Sequence, residues 1–409
     1  MPDLLFRPWF SSVSLGVFLS LAGCGAGLGA DPGAGTGDAG AALADGGTGG
    51  ETVDADGGNP AGMNDGGSGG TTDGGALDPT AADEVLFQEA LALYNQGAFG
   101  DAASKFDQLL SLYPTSLRAD NAAYLTGRCS YELQDYATAL VKLSSMRAQY
   151  PDSLFAGSAA YYMGRSHFAL ASYAEAIVDL QSSLSLDPTG IYADNAQYFI
   201  GRAYFEQGMA DPANRTTLLG QAVSALQVFL QTYPTSQYLD GGHYFLGRSY
   251  YALSDHVGAT AEFTAVIDAT GSPYADNAYY YRGRSACALG FADPTIKTAK
   301  YNEALADFLA VLNNYPASTY VDNALYWAGR TEYYLGALNY ASALGRLRQL
   351  VGTYPNSQYA DNAYYYIIRI EANQGDCVAG NADLASLQTG YPGSSYIPRA
   401  QTYLTSRGC

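Results

Sequence analysis

Residues 315–333 read YPASTYVDNALYWAGRTEY, and this wording recurs along most of the chain. Its frame, Y-P-x-S-x-Y-x-D-N-A-x-Y-x-x-G-R-x-x-Y, is registered by Gly127-Arg128, Gly164-Arg165, Gly201-Arg202, Gly247-Arg248, Gly283-Arg284 and Gly329-Arg330. These pairs stand 37, 37, 46, 36 and 46 residues apart. The two long intervals hold matching insertions, ADPANRTTL after Met209 and ADPTIKTAK after Phe291. A further copy, Asp361-Asn362-Ala363 through Arg369, has Ile368 in place of the glycine. Prolines at 114, 151, 188, 234, 316, 355 and 392 close the units, and the stretch from Ala269 to Pro273 is an irregular junction. A fixed period of this size marks a repeat array, in which each unit buries its apolar face against its neighbours.

Each unit reads as two helices. The first carries the Gly-Arg pair, and the second is typified by Tyr173-Ala174-Glu175-Ala176-Ile177-Val178-Asp179-Leu180, apolar at a 3.6-residue period. The Pro-x-Ser before each first helix predicts a chain break and a serine N-cap, with the Asp of Asp-Asn-Ala in the first turn, where it complements the helix dipole. Residues 83–114 form a first unit without the Gly-Arg pair but with Ala102 and Phe106 in place. That makes eight units over residues 83–409 and a last helix, about Ser394 to Arg407, that would cap them.

Helix pairs of this length, with Gly in the first helix and Ala followed by a bulky residue in the second (Ala176/Leu180, Ala259/Phe263, Ala304/Phe308), resemble tetratricopeptide repeats. The resemblance implies an all-α, right-handed solenoid. The Y-P-x-S-x-Y-x-D-N-A-x-Y wording is similar to two periplasmic groups: the assembly lipoprotein of the outer-membrane β-barrel machine and the repeat protein of the Tol-Pal system. Both imply a scaffold without catalytic activity. Eight units exceed the five or so of the first group, and the coiled coil of the second is missing, so the class is implied and the pathway is not.

Counting from the Arg of each pair, the fourth residue before it is always Tyr: Tyr124, Tyr161, Tyr198, Tyr244, Tyr280, Tyr326 and Tyr365, facing Arg128, Arg165, Arg202, Arg248, Arg284, Arg330 and Arg369. Seven before it stand Asn121, Asn195, Asn277, Asn323 and Asn362, and three after it Tyr131, Phe168, Phe205, Tyr251 and Tyr333. These spacings gather Asn, Tyr, Arg and the second aromatic on one helix stripe. The other face, with the apolar residue two or three before Arg and Leu133, Leu170, Leu253, Leu289 and Leu335, is expected to meet the core. In tetratricopeptide arrays the inner stripe lines a concave groove for extended peptides, and Tyr and Arg suit binding. The same regularity fits a second reading, in which the stripe knits successive first helices together. Both readings stand at this level.

Before residue 83 the composition changes. Residues 25–82 hold 20 glycines and nine acids, and no Lys, Arg or aromatic residue; all 36 tyrosines follow. Such a stretch cannot bury enough apolar surface to order itself, so it reads as a flexible tether. Asp54-Ala55-Asp56-Gly57 matches the start of a calcium loop, but no closing Glu follows at the required spacing. Residues 1–23 carry Arg7 and a short apolar run, Val13 to Ala22, too short for a membrane span and read as a secretory signal. It ends in Leu21-Ala22-Gly23-Cys24, which resembles the bacterial lipobox. That resemblance implies a lipidated Cys24, export, and a membrane anchor, with Gly25 favouring the outer membrane and the solenoid in the periplasm. The expected organisation is therefore signal 1–23, lipidated cysteine and tether 24–82, and solenoid 83–409.

The net charge of −19 argues against a nucleic-acid partner. His167, His243 and His256 form no metal-binding motif, and no nucleophile elbow or phosphate loop stands in the repeats, so no cofactor, metal or catalytic residue is expected. Cys129 and Cys287 lie four units apart and read as buried small residues. Cys377 in the last turn and Cys409 at the end of the capping helix fall at one end of an up-down-up arrangement, where a disulfide can form. Two classes of partner follow: envelope proteins or extended peptides along the groove, or, as the alternative, peptidoglycan or another polysaccharide on the Tyr and Asn stripes.

Overall fold

The computed structural model describes residues 81–409. The signal, Cys24 and the tether lie outside the described residues. Helices come in eight pairs and a final single helix. Unit 1 pairs α1 (Ala82–Asn95) with α2 (Phe99–Leu112), unit 2 pairs α3 (Ala119–Glu132) with α4 (Tyr136–Gln149), and unit 3 pairs α5 (Ala156–Ala169) with α6 (Tyr173–Leu186). Units 4 to 6 are α7 (Ala193–Ala210) with α8 (Arg215–Thr232), α9 (Leu239–Ala252) with α10 (His256–Asp268), and α11 (Ala275–Ala292) with α12 (Lys297–Asn314). Unit 7 joins α13 (Val321–Leu335) to α14 (Tyr340–Thr353) through a 3-10 turn, and unit 8 pairs α15 (Ala360–Gln374) with α16 (Cys377–Gly390). The lone α17 (Tyr396–Ser406) closes the array. This is a tetratricopeptide α-solenoid, and the two insertions are absorbed as extra helical turns: α7, α8, α11 and α12 each run 18 residues.

The glycine of the Gly-Arg pair is set by packing. A Cβ on Gly201 would sit 2.5 Å from Leu226 of its partner helix, and one on Gly283 would sit 2.8 Å from Phe308. The two helices of a unit can approach only where that side chain is missing. Unit 8 solves the same problem from the other side. Ile368 replaces the glycine and is fully buried, and Gly380 of α16 stands where other units have Ala102, Ala139 or Ala176. Each first helix also lies on the next first helix, α3 on α5, α5 on α7 and so on to α13 on α15.

The turns correct one expectation. The serine of Pro-x-Ser does not cap the first helix; it sits two residues before the N-cap. Its Oγ accepts from the backbone two residues on, as from Phe155 to Ser153, and donates to the Asp of the preceding unit: Ser153 to Asp120 at 2.6 Å and Ser236 to Asp194 at 2.7 Å. The serine thus ties two units together. Side-chain caps occur on second helices instead, where Asp135 accepts from Thr138 and Asp376 from Ala379. A second expectation holds only in part: Leu253 packs against the core, whereas Leu133 and Leu170, at the ends of their helices, are 55% and 47% exposed. The next residues, Gln134 and Ala171, turn back with φ of 60° and 56°.

At the open end, Cys377 of α16 and Cys409 after α17 form a disulfide with Cα atoms 5.1 Å apart. Cys129 is buried and reduced, and burial pushes its thiol up to about 12.

Gly283→Ala should destabilise by about 1–3 kcal/mol, whereas Gly345→Ala, on an exposed face with nothing near the new methyl, should stabilise by about 0.5–1 kcal/mol; urea unfolding measures both. Replacing both Cys377 and Cys409 by Ser should cost about 3–4 kcal/mol by the loop-entropy model, with hydrogen exchange rising in α16 and α17 while α3 to α9 keep their protection.

Candidate binding surface

The stripe residues singled out from sequence are in the interior. Tyr124, Tyr161, Tyr198, Tyr280 and Tyr326 are completely buried, Tyr244 and Tyr365 nearly so, and six of the seven arginines are 3–9% exposed. Arg248 and Asn277 are partly buried, and Asn195, Asn323 and Asn362 are buried. What covers them is the next unit.

Three kinds of contact recur along the junctions, the one from Asn only where the next unit carries Asn and not Ser158 or Gly241. The Tyr of the stripe stacks on the aromatic residue at the N-cap of the next first helix: Tyr161 on Tyr192 at 4.4 Å, Tyr198 on Tyr238 at 4.9 Å, Tyr326 on Tyr359 at 4.4 Å. Its hydroxyl accepts from its own Arg one turn on, 2.8 Å from Arg165 to Tyr161 and 2.7 Å from Arg284 to Tyr280. The next unit's Asn also donates to it, from Asn195 to Tyr161, from Asn277 to Tyr244 and from Asn362 to Tyr326. The guanidinium itself lies over a ring of the following first helix: Arg128 over Tyr162 at 4.9 Å, Arg165 over Phe199 at 3.8 Å, Arg202 over Phe245 at 4.8 Å, Arg248 over Tyr281 at 4.2 Å and Arg284 over Trp327 at 4.1 Å. Arg330 donates from Nε to the Tyr366 hydroxyl at 2.9 Å, and Arg369 lies over Tyr403 of the capping helix at 4.6 Å.

A charge taken out of water needs such partners. Guanidinium tolerates the position because it is weakly hydrated and stacks on aromatic faces, each contact contributing about 2 kcal/mol when desolvated. The receiving ring, three residues before each Arg, was read from sequence as part of the core face. The signal was nevertheless there. That position is aromatic in Tyr162, Phe199, Phe245, Tyr281, Trp327 and Tyr366, and is Leu125 only where the preceding unit has Leu91 in the Arg place.

A second regularity runs along the second helices. Three residues after the packed Ala stand Lys105, Lys142, Asp179, Glu262, Asp307, Arg346 and Asp383, and each is ion-paired to a neighbouring helix. The bridges include Lys142 to Asp107 at 2.9 Å, Asp179 to His167 at 2.8 Å and Asp307 to Arg282 at 2.7 Å. Unit 4 has Ala225 there. In unit 8 burial and the nearby Asp383 push the Glu371 carboxyl up to about 8, against the pull of Arg348.

The remaining surface includes an apolar row at the turns entering units 2 to 4: Leu117, Leu154 and Ile191, 48%, 66% and 58% exposed. The equivalent positions of later units are Gln237, Pro273, Thr319 and Gln358. Among the described residues no helix is long and apolar enough to cross a membrane, and no three His, Cys, Asp or Glu side chains are grouped to hold a metal.

A family model named YfiO and described as outer membrane lipoprotein matches residues 79–171 and 210–369. The chain belongs to this family. No curated protein matches it. Among solved structures, the C-terminal part of a TPR repeat-containing protein from Cytophaga hutchinsonii is 18% identical with a TM-score of 0.50, over 68% of this chain and 98% of that one. A tetratricopeptide repeat protein from Parabacteroides merdae is 13% identical, TM-score 0.42, over 79% and 98%. The pilF protein of Pseudomonas aeruginosa is 13% identical, TM-score 0.42, over 64% and 96%. The first of these agrees with the fold of this YfiO-family chain.

A double-mutant cycle of Arg284→Ala with Trp327→Leu should give a coupling of about 1–2 kcal/mol in denaturant unfolding; additive losses would remove the guanidinium–ring contact from the junction.

Proposed function

We propose that this chain is a non-catalytic, lipid-anchored scaffold for proteins of the bacterial envelope, held through Cys24 at the outer membrane with its solenoid in the periplasm. The family match supports the compartment, and the lipobox-like Leu-Ala-Gly-Cys supports the anchor, since acyl chains convert an exported protein into a membrane-held one. The observation that carries the scaffold reading is the exposed row at Leu117, Leu154 and Ile191 on an array whose stripe is already occupied by its own junctions. With Tyr and Arg buried, recognition falls to turns and outer surfaces. The row is confined to the units nearest the tether and offers apolar anchors of the kind that protein interfaces bury.

Photo-crosslinkers placed at 117, 154 and 191 in cells should give discrete adducts with an envelope protein, while those at 237, 319 and 358 should give none. Retention of the chain on purified sacculi with no protein adduct from either set would replace this reading by peptidoglycan binding. Globomycin should leave the precursor uncleaved; normal processing under the drug would remove the lipid anchor from the proposal.

A further inference from the structure

The repeat provides its own reference for finding a site, because a position that is charged and bridged in seven units is expected to be so in the eighth. Ala225 on α8 breaks that rule. Where other units place a charged side chain that pairs with their own first helix or with an adjacent second helix, unit 4 has a methyl group, and the Gln197 side chain donates instead to the Ala225 carbonyl at 3.0 Å. The result is an open groove of ≈ 580 Å³ between α6 and α8 with α7 as its floor. That volume lies in the range of about 300–1,000 Å³ typical of small-molecule sites.

Every side chain along it is uncharged. Ile200, Leu184 and Val228 give an apolar base, and Tyr204 offers a partly exposed ring. Gln181 and Gln221 supply amides at the rim, and Thr217 a hydroxyl. Comparison with the neighbours shows that these groups are unspent. In the next crevice Gln227, the counterpart of Gln181, donates to Tyr250, the counterpart of Tyr204, at 2.8 Å. In the other inserted unit the counterparts of Gly220 and Gln221 are Asn302 and Glu303, and Glu303 is paired with Lys300. Unit 4 has thus lost its charges at several positions and kept polar groups that hydrogen-bond in both directions.

We infer that this groove binds a neutral oligosaccharide, with a sugar ring on Tyr204 and its hydroxyl or acetamido groups on Gln181, Gln221 and Thr217. An apolar base with convergent amides and an aromatic platform suits a ligand with many hydroxyls and no charge. An ionic peptide would find no counter-ion along this lining, so the groove offers its charges no contact. The inference goes beyond the scaffold reading and does not depend on it: α6 and most of α7 lie outside the segments that the family model matches. The apolar row is also a separate set of residues.

The test is titration of the purified full chain with chitotriose and with maltotriose, read by calorimetry and by saturation-transfer NMR. At least one should bind saturably, and Ala225→Glu, which restores the usual charge, should weaken it about tenfold or more with an unchanged melting temperature. Gln181→Ala, at an exposed position, should weaken it several-fold and serves if Ala225→Glu folds poorly. Ala306→Glu, which adds the same charge to an exposed position of α12, should leave affinity unchanged. Absence of binding by both sugars overturns the inference, as does binding that survives in both groove variants. Saturable binding of an uncharged Ser-Gln-Gly peptide with no binding of either sugar overturns it in favour of a peptide site. Loss of crosslinks at 117, 154 and 191 with intact sugar binding would remove the scaffold reading and leave this one.

Discussion

Everything in the solenoid is arranged around one buried cation per junction. The guanidinium of each Gly-Arg pair is held between a tyrosine of its own helix and a ring of the next, and this fixes how closely successive first helices lie. The contact is worth having only if the charge is fully partnered, and the flat, weakly hydrated guanidinium can be partnered by ring faces and hydroxyls where an ammonium could not. Because a solenoid is held by nearest-neighbour interfaces, the same solution must be repeated at each step. The ends show the rule by its exceptions. Leu125 stands in the ring position where the preceding unit has Leu91 in place of Arg, and Tyr403 of the capping helix receives the last guanidinium, that of Arg369.

Close packing of first helices leaves the second helices to be joined by long side chains. A charged residue three positions after the packed alanine pairs with its own first helix or with an adjacent second helix in seven units, and serine-to-aspartate bonds tie the turns. Such a lattice makes departures informative. Where Ile368 replaces the glycine, Gly380 replaces the alanine, and Leu404 of the capping helix packs over Gly380. Ala225 is compensated only at the backbone, through Gln197, and so leaves space.

Much of this was legible before any coordinates. Eight pairs and a cap, their register and the helical absorption of length all follow from the period of Gly-Arg pairs and prolines. The Tyr–Arg stripe was legible as a stripe, but its two uses were not separable, because periodicity tells which residues share a face and not what covers that face. The receiving ring was missed for a related reason: an aromatic at a core-like phase looks the same whether it packs on its own partner helix or under a neighbour's cation. The place of Ser153 and Ser236 before a helix predicts caps, and local sequence does not show that an aspartate one unit away, Asp120 or Asp194, takes their hydrogen.

The opening period, then, determined the architecture by itself, since a repeated pattern of apolar and small residues can bury its surface only by stacking copies. The tertiary structure decided the fate of the polar residues in that pattern. Whether a tyrosine or an arginine meets a ligand or a neighbouring unit depends on how closely the next first helix lies, and the stacked rings and guanidinium contacts between units hold that spacing. The packing of neighbouring helices likewise makes Ala225 part of a groove, while Ala306, equally small, lies on an exposed face.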